Sequence, residues 1–348
     1  MLHLFTRRDT RHWIDHLRDN RLTANQLTVC LPVYNGAKYL EESVCSVLNQ
    51  DYTDFEFIIC DDCSTDESPR IIKNLSDSRV IYVRNTERLG LVRNWNKCVG
   101  LAKTNYVYLW HQDDIMLPEN LKKKVDVLEA HPTVGFVHSN IEWLDQASQE
   151  TREHWAEDSK RDYLVPGYFF FLRNLRQNSF CCPSAMIRAE CYKRLGYYRE
   201  ELPLSCDTEF FMRVSLYYDV ACIGEPLIRY RWHSASETHS FIRSGQDFRQ
   251  VELARRMVLD EHADRVPDPD LAREIMKRAI ACDALRGARK VLSTPHRSSD
   301  SVARARGYCW QAIRRNPGLV TTKDFWWILL RLMIGYGVLH KVSKRLRR

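Results

Sequence analysis

Between Thr28 and His138, short solid apolar runs take turns with segments whose apolar residues recur every three or four positions. The runs Thr28–Pro32, Phe55–Cys60, Val80–Arg84, Tyr106–Trp110 and Val134–His138 predict buried strands. Lys38–Gln50 carries Leu40, Val44 and Val47 at helical spacing, and Pro118–His131 carries Leu121, Val125 and Leu128. Ser68–Ser76, opened by Pro69, and Leu91–Ala102 supply two more helices. Strands separated by helices at this spacing predict βαβ units. The expected fold is α/β, a mostly parallel sheet with helices on both faces.

After about Asn140 the alternation decays. Gln146–Arg161 is polar and predicts a surface excursion over the sheet's open end. Cys182–Arg188 predicts an antiparallel strand, and Ala189–Leu195 a short helix stopped by Gly196. Asp207–Tyr217 predicts a helix bearing Phe210, Phe211 and Val214; Val220–Ile223 and Leu227–Trp232 return to strand character. From Gln246 onward the chain reads as a helical, basic appendage punctuated by Pro267, Pro269 and Pro295.

Composition narrows the class. At 348 residues, 44% apolar and 28% charged, the chain suits a globular protein with a sizeable core rather than a multispanning one. Met1–Asp9 turns charged at once and predicts no secretory leader. The net charge is +7, yet Phe325–Arg348 alone holds six basic and no acidic residues, which leaves the rest of the chain at +1. That distribution argues against a nucleic-acid partner. Of the twelve cysteines, Cys30, Cys60, Cys98 and Cys222 lie in apolar segments and no pair has zinc-ribbon spacing. Cys60 and Cys63 straddle Asp61-Asp62 at a strand end rather than opening a helix, so reduced thiols of a cytoplasmic protein are expected.

The chemistry gathers at the predicted strand ends, where open α/β sheets bind small molecules. The first strand ends in Pro32-Val33-Tyr34-Asn35-Gly36, the second in Asp61-Asp62-Cys63-Ser64-Thr65-Asp66, the fourth in His111-Gln112-Asp113-Asp114. Carboxylates at neighbouring strand ends repel unless cations or donors offset them. A divalent metal carrying a phosphorylated ligand is one such cation. The alternative is local: Asp62 and Asp66 as turn residues, Asp114 as the start of the 118–131 helix. No G-x-G-x-x-G and no Walker A loop is present, so nicotinamide and P-loop chemistry lose their sequence support.

Leu31–Gly36, the helix end Ser46-Val47-Leu48-Asn49-Gln50, Asp61–Asp66 and Gln112-Asp113-Asp114 occur in the order typical of family 2 glycosyltransferases with the GT-A fold, and the chain resembles that family over roughly residues 26–240. The resemblance implies a GT-A-like nucleotide-binding sheet and a nucleotide-diphosphate sugar donor. It places Pro32, Tyr34, Asn35, Asp61 and Asp62 on the base and ribose, and Gln112 and Asp113 on the donor beyond them. It implies Mg²⁺ or Mn²⁺ on the diphosphate, held by Asp113 with Asp114 beside it. The first acid of the family's Asp-x-Asp motif maps to His111, which suits Mn²⁺ better than Mg²⁺ and is left as a sugar or outer contact. Trp95-Asn96 stands where the family often has Arg-Asn, so Asn96 joins the donor set and Arg93, one turn away, is the candidate cation.

Transfer to a hydroxyl also needs a base. Cys206-Asp207-Thr208-Glu209 resembles the family's Glu-Asp segment, which puts Asp207 at the base position and a cysteine in place of the first acid. A plain helix N-cap at Asp207 is the alternative. Arg229-Tyr230-Arg231-Trp232-His233 matches the family's Tyr-Arg-x-His ending, which implies a strand-end Arg and His on the diphosphate or His233 on the metal; the alternative is an Arg231 salt bridge and a surface histidine.

The expected organisation is an extension over 1–25, a glycosyltransferase domain over 26–240 and a helical region over 241–348. Within the domain, 26–139 would bind the nucleotide-sugar and 140–240 would form the acceptor half. The run Phe325–Leu339, interrupted by Arg331, is short of the ~20 apolar residues that span a bilayer. It predicts an interfacial helix in the tail 325–348, peripheral at the inner face of the cell membrane, with packing on the protein's own core as the alternative. The function read here is inverting, metal-dependent sugar transfer to a hydroxyl of a lipid-linked or cell-surface glycan. Its rivals are a nucleotidyltransferase, which lacks its Gly-rich basic loop here, and an inactive nucleotide- or glycan-binding protein of the same fold.

Overall fold

The computed structural model describes residues 26–145, 151–154, 161–233, 236, 247–293 and 299–334. The N-terminal extension over 1–25, the basic end of the tail beyond residue 334 and most of the Gln146–Arg161 excursion lie outside the described residues. Two units divide near residue 240.

The first unit is built on one ten-stranded sheet. Its strands are β1 (Leu27–Val33), β2 (Phe55–Asp61), β3 (Val80–Arg84), β4 (Tyr106–Leu109), β5 (Ile115–Met116), β6 (Val134–Asp145), β7 (Thr151–His154), β8 (Tyr163–Val165), β9 (Met186–Arg188) and β10 (Asp219–Trp232). The order is β3-β2-β1-β4-β9-β6-β10-β5, with β7 on β6 and β8 on β10. β1 pairs in parallel with both β2 and β4, β2 with β3, and β6 with β10. β9 is antiparallel to β4 and to β6, so it bridges two sets of strands that run the same way. Every residue of β1 is buried, the mark of a central parallel strand covered on both faces.

The helices of this unit are α1 (Ala37–Leu48), α2 (Ser68–Lys73), α3 (Leu91–Gly100), α4 (Asn120–Ala130), α5 (Gly167–Arg176), α6 (Ala189–Leu195) and α7 (Cys206–Ser215). α1 buries Leu40, Val44 and Val47 and α4 buries Leu121, Val125 and Leu128, the stripes that the sequence pattern marks. α4 also buries Lys124, whose Nζ donates to Tyr108 Oη at 2.9 Å.

Two expectations change. The runs around 220–223 and 227–232 are one strand, β10, kept continuous by register shifts around Pro226. Asn140 Nδ2 satisfies the Gly224 carbonyl there at 2.6 Å. Periodicity reads a bulge as a break, because side-chain alternation slips by one at the extra residue. α5, β5, β7 and β8 have no counterpart in the sequence pattern, and β7 pairs with β6 inside the stretch expected to be a surface excursion.

The second unit is helical: α8 (Asp247–Glu261), α9 (Pro269–Ser293), α10 (Ser299–Arg315) and α11 (Lys323–Ile334). Pro269 opens α9, and Asp268 Oδ1 accepts the Leu271 amide at 2.9 Å as its cap. Ala281, Ala284 and Ala288 of α9 share a core with Ala305, Cys309 and Ala312 of α10 and Ile328 of α11. Trp327 packs against that core beneath the Arg331 guanidinium, 4.2 Å from the ring centre, whereas Trp326 is 60% exposed. No helix among the described residues is long and apolar enough to cross a membrane.

Candidate active site

The carboxyl ends of β1, β2 and β4 are tied together by side chains that bond to backbone. Gln112 Oε1 accepts the Tyr34 amide at 2.9 Å, and its Nε2 donates to the Tyr34 carbonyl at 3.1 Å. A Cβ at Gly36 would fall on the same amide group, so glycine is what lets the two loops approach. Asn35 adopts φ +47°, a left-handed conformation that asparagine tolerates. Its amide donates to Ser64 Oγ at 2.9 Å and its Oδ1 accepts the Thr65 amide at 2.8 Å, joining the first strand end to the second. The N-terminus of α1 is satisfied from the same loop, with Ala37 N donating to Asp66 Oδ2 at 2.9 Å.

Asp61 and Asp62 are both buried, and their oxygens are occupied. Asp61 accepts the Ser64 amide and the Tyr82 hydroxyl, each at 2.8 Å, and faces Arg84 at 3.1 Å. Asp62 Oδ1 accepts from Asn85 Nδ2 and Leu89 N at 2.7 Å; its Oδ2 accepts from Gly90 N at 2.8 Å. Asp62 therefore clamps the loop between β3 and α3. That loop lays the exposed Arg88 guanidinium 3.9 Å from the centre of the Tyr34 ring. Cys63, at φ +60°, donates its thiol to the Asn85 carbonyl, and all twelve cysteines are free.

After β4, the side chains of His111, Asp113 and Asp114 place one potential ligand atom each within 4.8 Å of one another. Asp114 is 1% exposed, accepts Arg231 N at 2.9 Å through Oδ1, and leaves Oδ2 without a hydrogen bond. Burial pushes its carboxyl well above the usual range, and the neighbouring Asp113 adds to this. His111 Nε2 is likewise buried without a hydrogen bond, and burial lowers the ring's basicity. His111 Nδ1 lies 3.8 Å from Asp114 Oδ2, and a buried carboxylate oxygen without a hydrogen bond beside a ring nitrogen suits a divalent cation. Asp113 is more open: its Oδ2 lies 2.9 Å from His233 Nε2. Arg231 braces the turn through Nε to the Asp113 carbonyl at 2.8 Å, and reaches Glu42 of α1 at 2.6 Å.

Asp207 sits in the first turn of α7, half-buried, with Oδ1 accepting the Thr208 amide at 2.6 Å. Its Oδ2 makes no hydrogen bond to a described residue. Desolvation raises its carboxyl above the ordinary value, against the Thr208 hydrogen bonds. Burial pushes the Cys181 thiol up, and the charges of Asp114, Asp207 and Asp113 add to the shift.

Other candidate residues point elsewhere. Pro32 is buried in β1 opposite Cys60. Asn96 exchanges two hydrogen bonds with the Tyr198 backbone, at 2.8 and 3.0 Å, and so holds the segment after Gly196. Arg93 is exposed and faces Glu200 at 3.6 Å. Arg88, Glu42 and Cys181 join the site without a sequence signal, since loops and outer helix faces carry no periodicity; Tyr82 and Arg84 lie on the predicted strand β3, but their contacts with Asp61 come only from the pairing of β3 with β2.

Residues 28–196 match the model of glycosyl transferase family 2. An uncharacterized glycosyltransferase of Methanocaldococcus jannaschii is 31% identical over 210 residues, covering 59% of this chain and 70% of that protein. One from Haemophilus influenzae is 24% identical over 242 residues, 67% of this chain and 73% of its own. The crystal structure of S. aureus TarS 1–349 superposes with a TM-score of 0.60 at 18% identity, over 85% of this chain and 82% of that one. The same protein in complex with UDP gives 0.56 at 15% identity, over 83% of this chain and 88% of that one.

Proposed function

The chain belongs to glycosyl transferase family 2, and on that premise we propose an inverting transfer of a sugar from a nucleotide-diphosphate donor to a hydroxyl of a lipid-linked or cell-surface glycan. The observation that carries the reading is the convergence of His111, Asp113 and Asp114 within 4.8 Å, at the strand end next to the one that carries Tyr34. In this reading the nucleoside lies against Tyr34 and Asn35, and Asp61 and Asp62 hold the backbone that shapes that wall. Arg88, on the rim beside Tyr34, meets the donor's negative charge.

Asp113, with Asp114 and His233 or His111, would hold Mg²⁺ or Mn²⁺, which when bound offsets the charge that gathers on the leaving diphosphate. The acceptor oxygen attacks the anomeric carbon from the face opposite the diphosphate, its proton passes to Asp207, and the bond from carbon to the phosphate oxygen breaks with its electron pair on the diphosphate. A raised carboxyl suits that proton transfer, since a base works best when its proton affinity approaches that of its surroundings.

In the same reading residues 26–139 form the donor half, 140–240 the acceptor half, and 241–348 a helical region. The protein works at the cytoplasmic face of the membrane, held peripherally by the tail over 325–348. A panel of nucleotide-sugars, each tested for Mn²⁺-dependent thermal stabilisation, decides the matter. One donor should raise the melting temperature only with the cation present. A protein that responds to no nucleotide-sugar, with or without Mn²⁺, would refute the reading.

A further inference from the structure

Helix α10 has two dissimilar faces. Inward it buries Ala305, Cys309 and Ala312. Outward it carries Trp310, at 67% the most exposed large apolar side chain among the described residues. One turn to either side, at i−4 and i+4, stand Arg306 and Arg314, both exposed. Neither forms an ion pair or hydrogen bond with a described residue, whereas the next residue, Arg315, reaches Glu252 at 3.0 Å. Between them a Cβ at Gly307 would meet nothing within 4 Å, so the face is open. Asp300 is the sole acid of Ser299–Arg315, against four arginines.

A tryptophan in water between two uncompensated guanidinium groups loses on both counts, exposed ring and self-repelling charge. An anionic lipid surface relieves both. The indole sits at the headgroup boundary, and the arginines meet lipid phosphates. A nucleic acid would take the charges but has no comparable place for an outward indole on a single helix, and the chain apart from its tail is close to neutral.

We propose that the Trp310 face of α10 docks on an anionic lipid surface. The contact is separate from the tail over 325–348 and goes beyond it, since it lies on a different helix.

The test is co-sedimentation of the full chain with vesicles of phosphatidylcholine containing phosphatidylglycerol, against phosphatidylcholine alone. The wild type should pellet with the mixed vesicles and be released by salt. Arg306→Gln with Arg314→Gln should lower the partition roughly thirtyfold, at about fivefold per removed charge. Trp310→Ala should lower it at unchanged salt dependence. All three positions are exposed, and an unchanged melting temperature verifies folding. A chain ending at residue 334 should keep the part that these variants remove. Wild-type binding unaffected by the three substitutions overturns the proposal, as does loss of all binding in the shortened chain, which would make the tail the whole anchor. A wild type that ignores vesicles also overturns it; if it then self-associates and Trp310→Ala disperses it, the face joins copies of the chain.

Discussion

Asp113 and His233, 120 positions apart, meet at 2.9 Å between Oδ2 and Nε2. The contact brings the end of β10 back onto the turn that follows β4. It makes Asp113 the one carboxylate of the acidic turn that is both partly open and within 2.9 Å of a histidine nitrogen.

Asp113→Ala should abolish Mn²⁺-dependent stabilisation and lower transfer by at least about 100-fold, because the diphosphate loses its principal charge support. His233→Ala should weaken cation binding less. Calorimetric titration with Mn²⁺ alone checks both, and a His233 variant that binds as the wild type removes that residue from the metal set.

For Asp207 the expected loss is in the chemical step. Asp207→Asn should lower kcat by about 10²–10⁴ while donor affinity stays near the wild type. The base acts only as carboxylate. Its raised pKa therefore predicts that kcat falls as pH drops through that raised value, at a higher pH than for an ordinary aspartate. A kcat that is flat across the acidic range would exclude Asp207 as the base.

Asp62 clamps the loop that carries the exposed Arg88, and under the proposed function it acts on the donor through that loop. Arg88→Ala should raise donor KM about tenfold, the scale of one hydrogen bond to a charged group, with kcat nearly unchanged. Asp62→Asn should have a similar effect on KM, and the double variant should be little worse than either single one, as expected of residues acting as a unit. Additive effects would mean that Asp62 meets the donor independently.

Gly36→Ala puts a methyl where the Gln112 amide lies. Both Gln112 bonds to Tyr34 must then open, at a cost of about 1–3 kcal/mol in urea unfolding. Donor affinity should fall with stability, since the same bonds shape the Tyr34 wall. Unchanged stability would show that Gln112 has room to move.

Lys124 is buried against Tyr108, which donates onward to the Pro183 carbonyl at 2.9 Å. Burial holds its amine well below the ordinary lysine value. The unfolded chain then binds a proton that the folded chain does not, so this group makes stability rise with pH up to the ordinary lysine range. Lys124→Met should remove that rise, and the difference between wild type and variant in urea melts should grow between about pH 6 and 9. A constant difference would mean that Lys124 stays charged when folded.

Much of residues 26–139 was legible in the sequence. Leu40, Val44 and Val47 of α1 and the solid run of β1 are buried where periodicity puts them, because a parallel strand covered on both faces and a helix with one apolar stripe leave direct patterns. The acidic strand ends could be found for the same reason: polar residues that interrupt a buried run must turn there. Residues 140–240 are another matter. Cys181 lies in a segment whose pattern is weak, and β9, which follows it, crosses antiparallel between β4 and β6, a placement that no local spacing announces.

The sequence alone determined the family, the α/β class and which strand ends carry carboxylates, since each is written in local order and spacing. Only the tertiary structure decided what each carboxylate faces. Asp62 meets backbone amides, Asp114 leaves a lone pair orphaned, and Asp113 meets a histidine from the far end of β10. The reason is physical: burial and hydrogen-bond partners set a carboxylate's charge and role, and those partners come from residues distant in sequence.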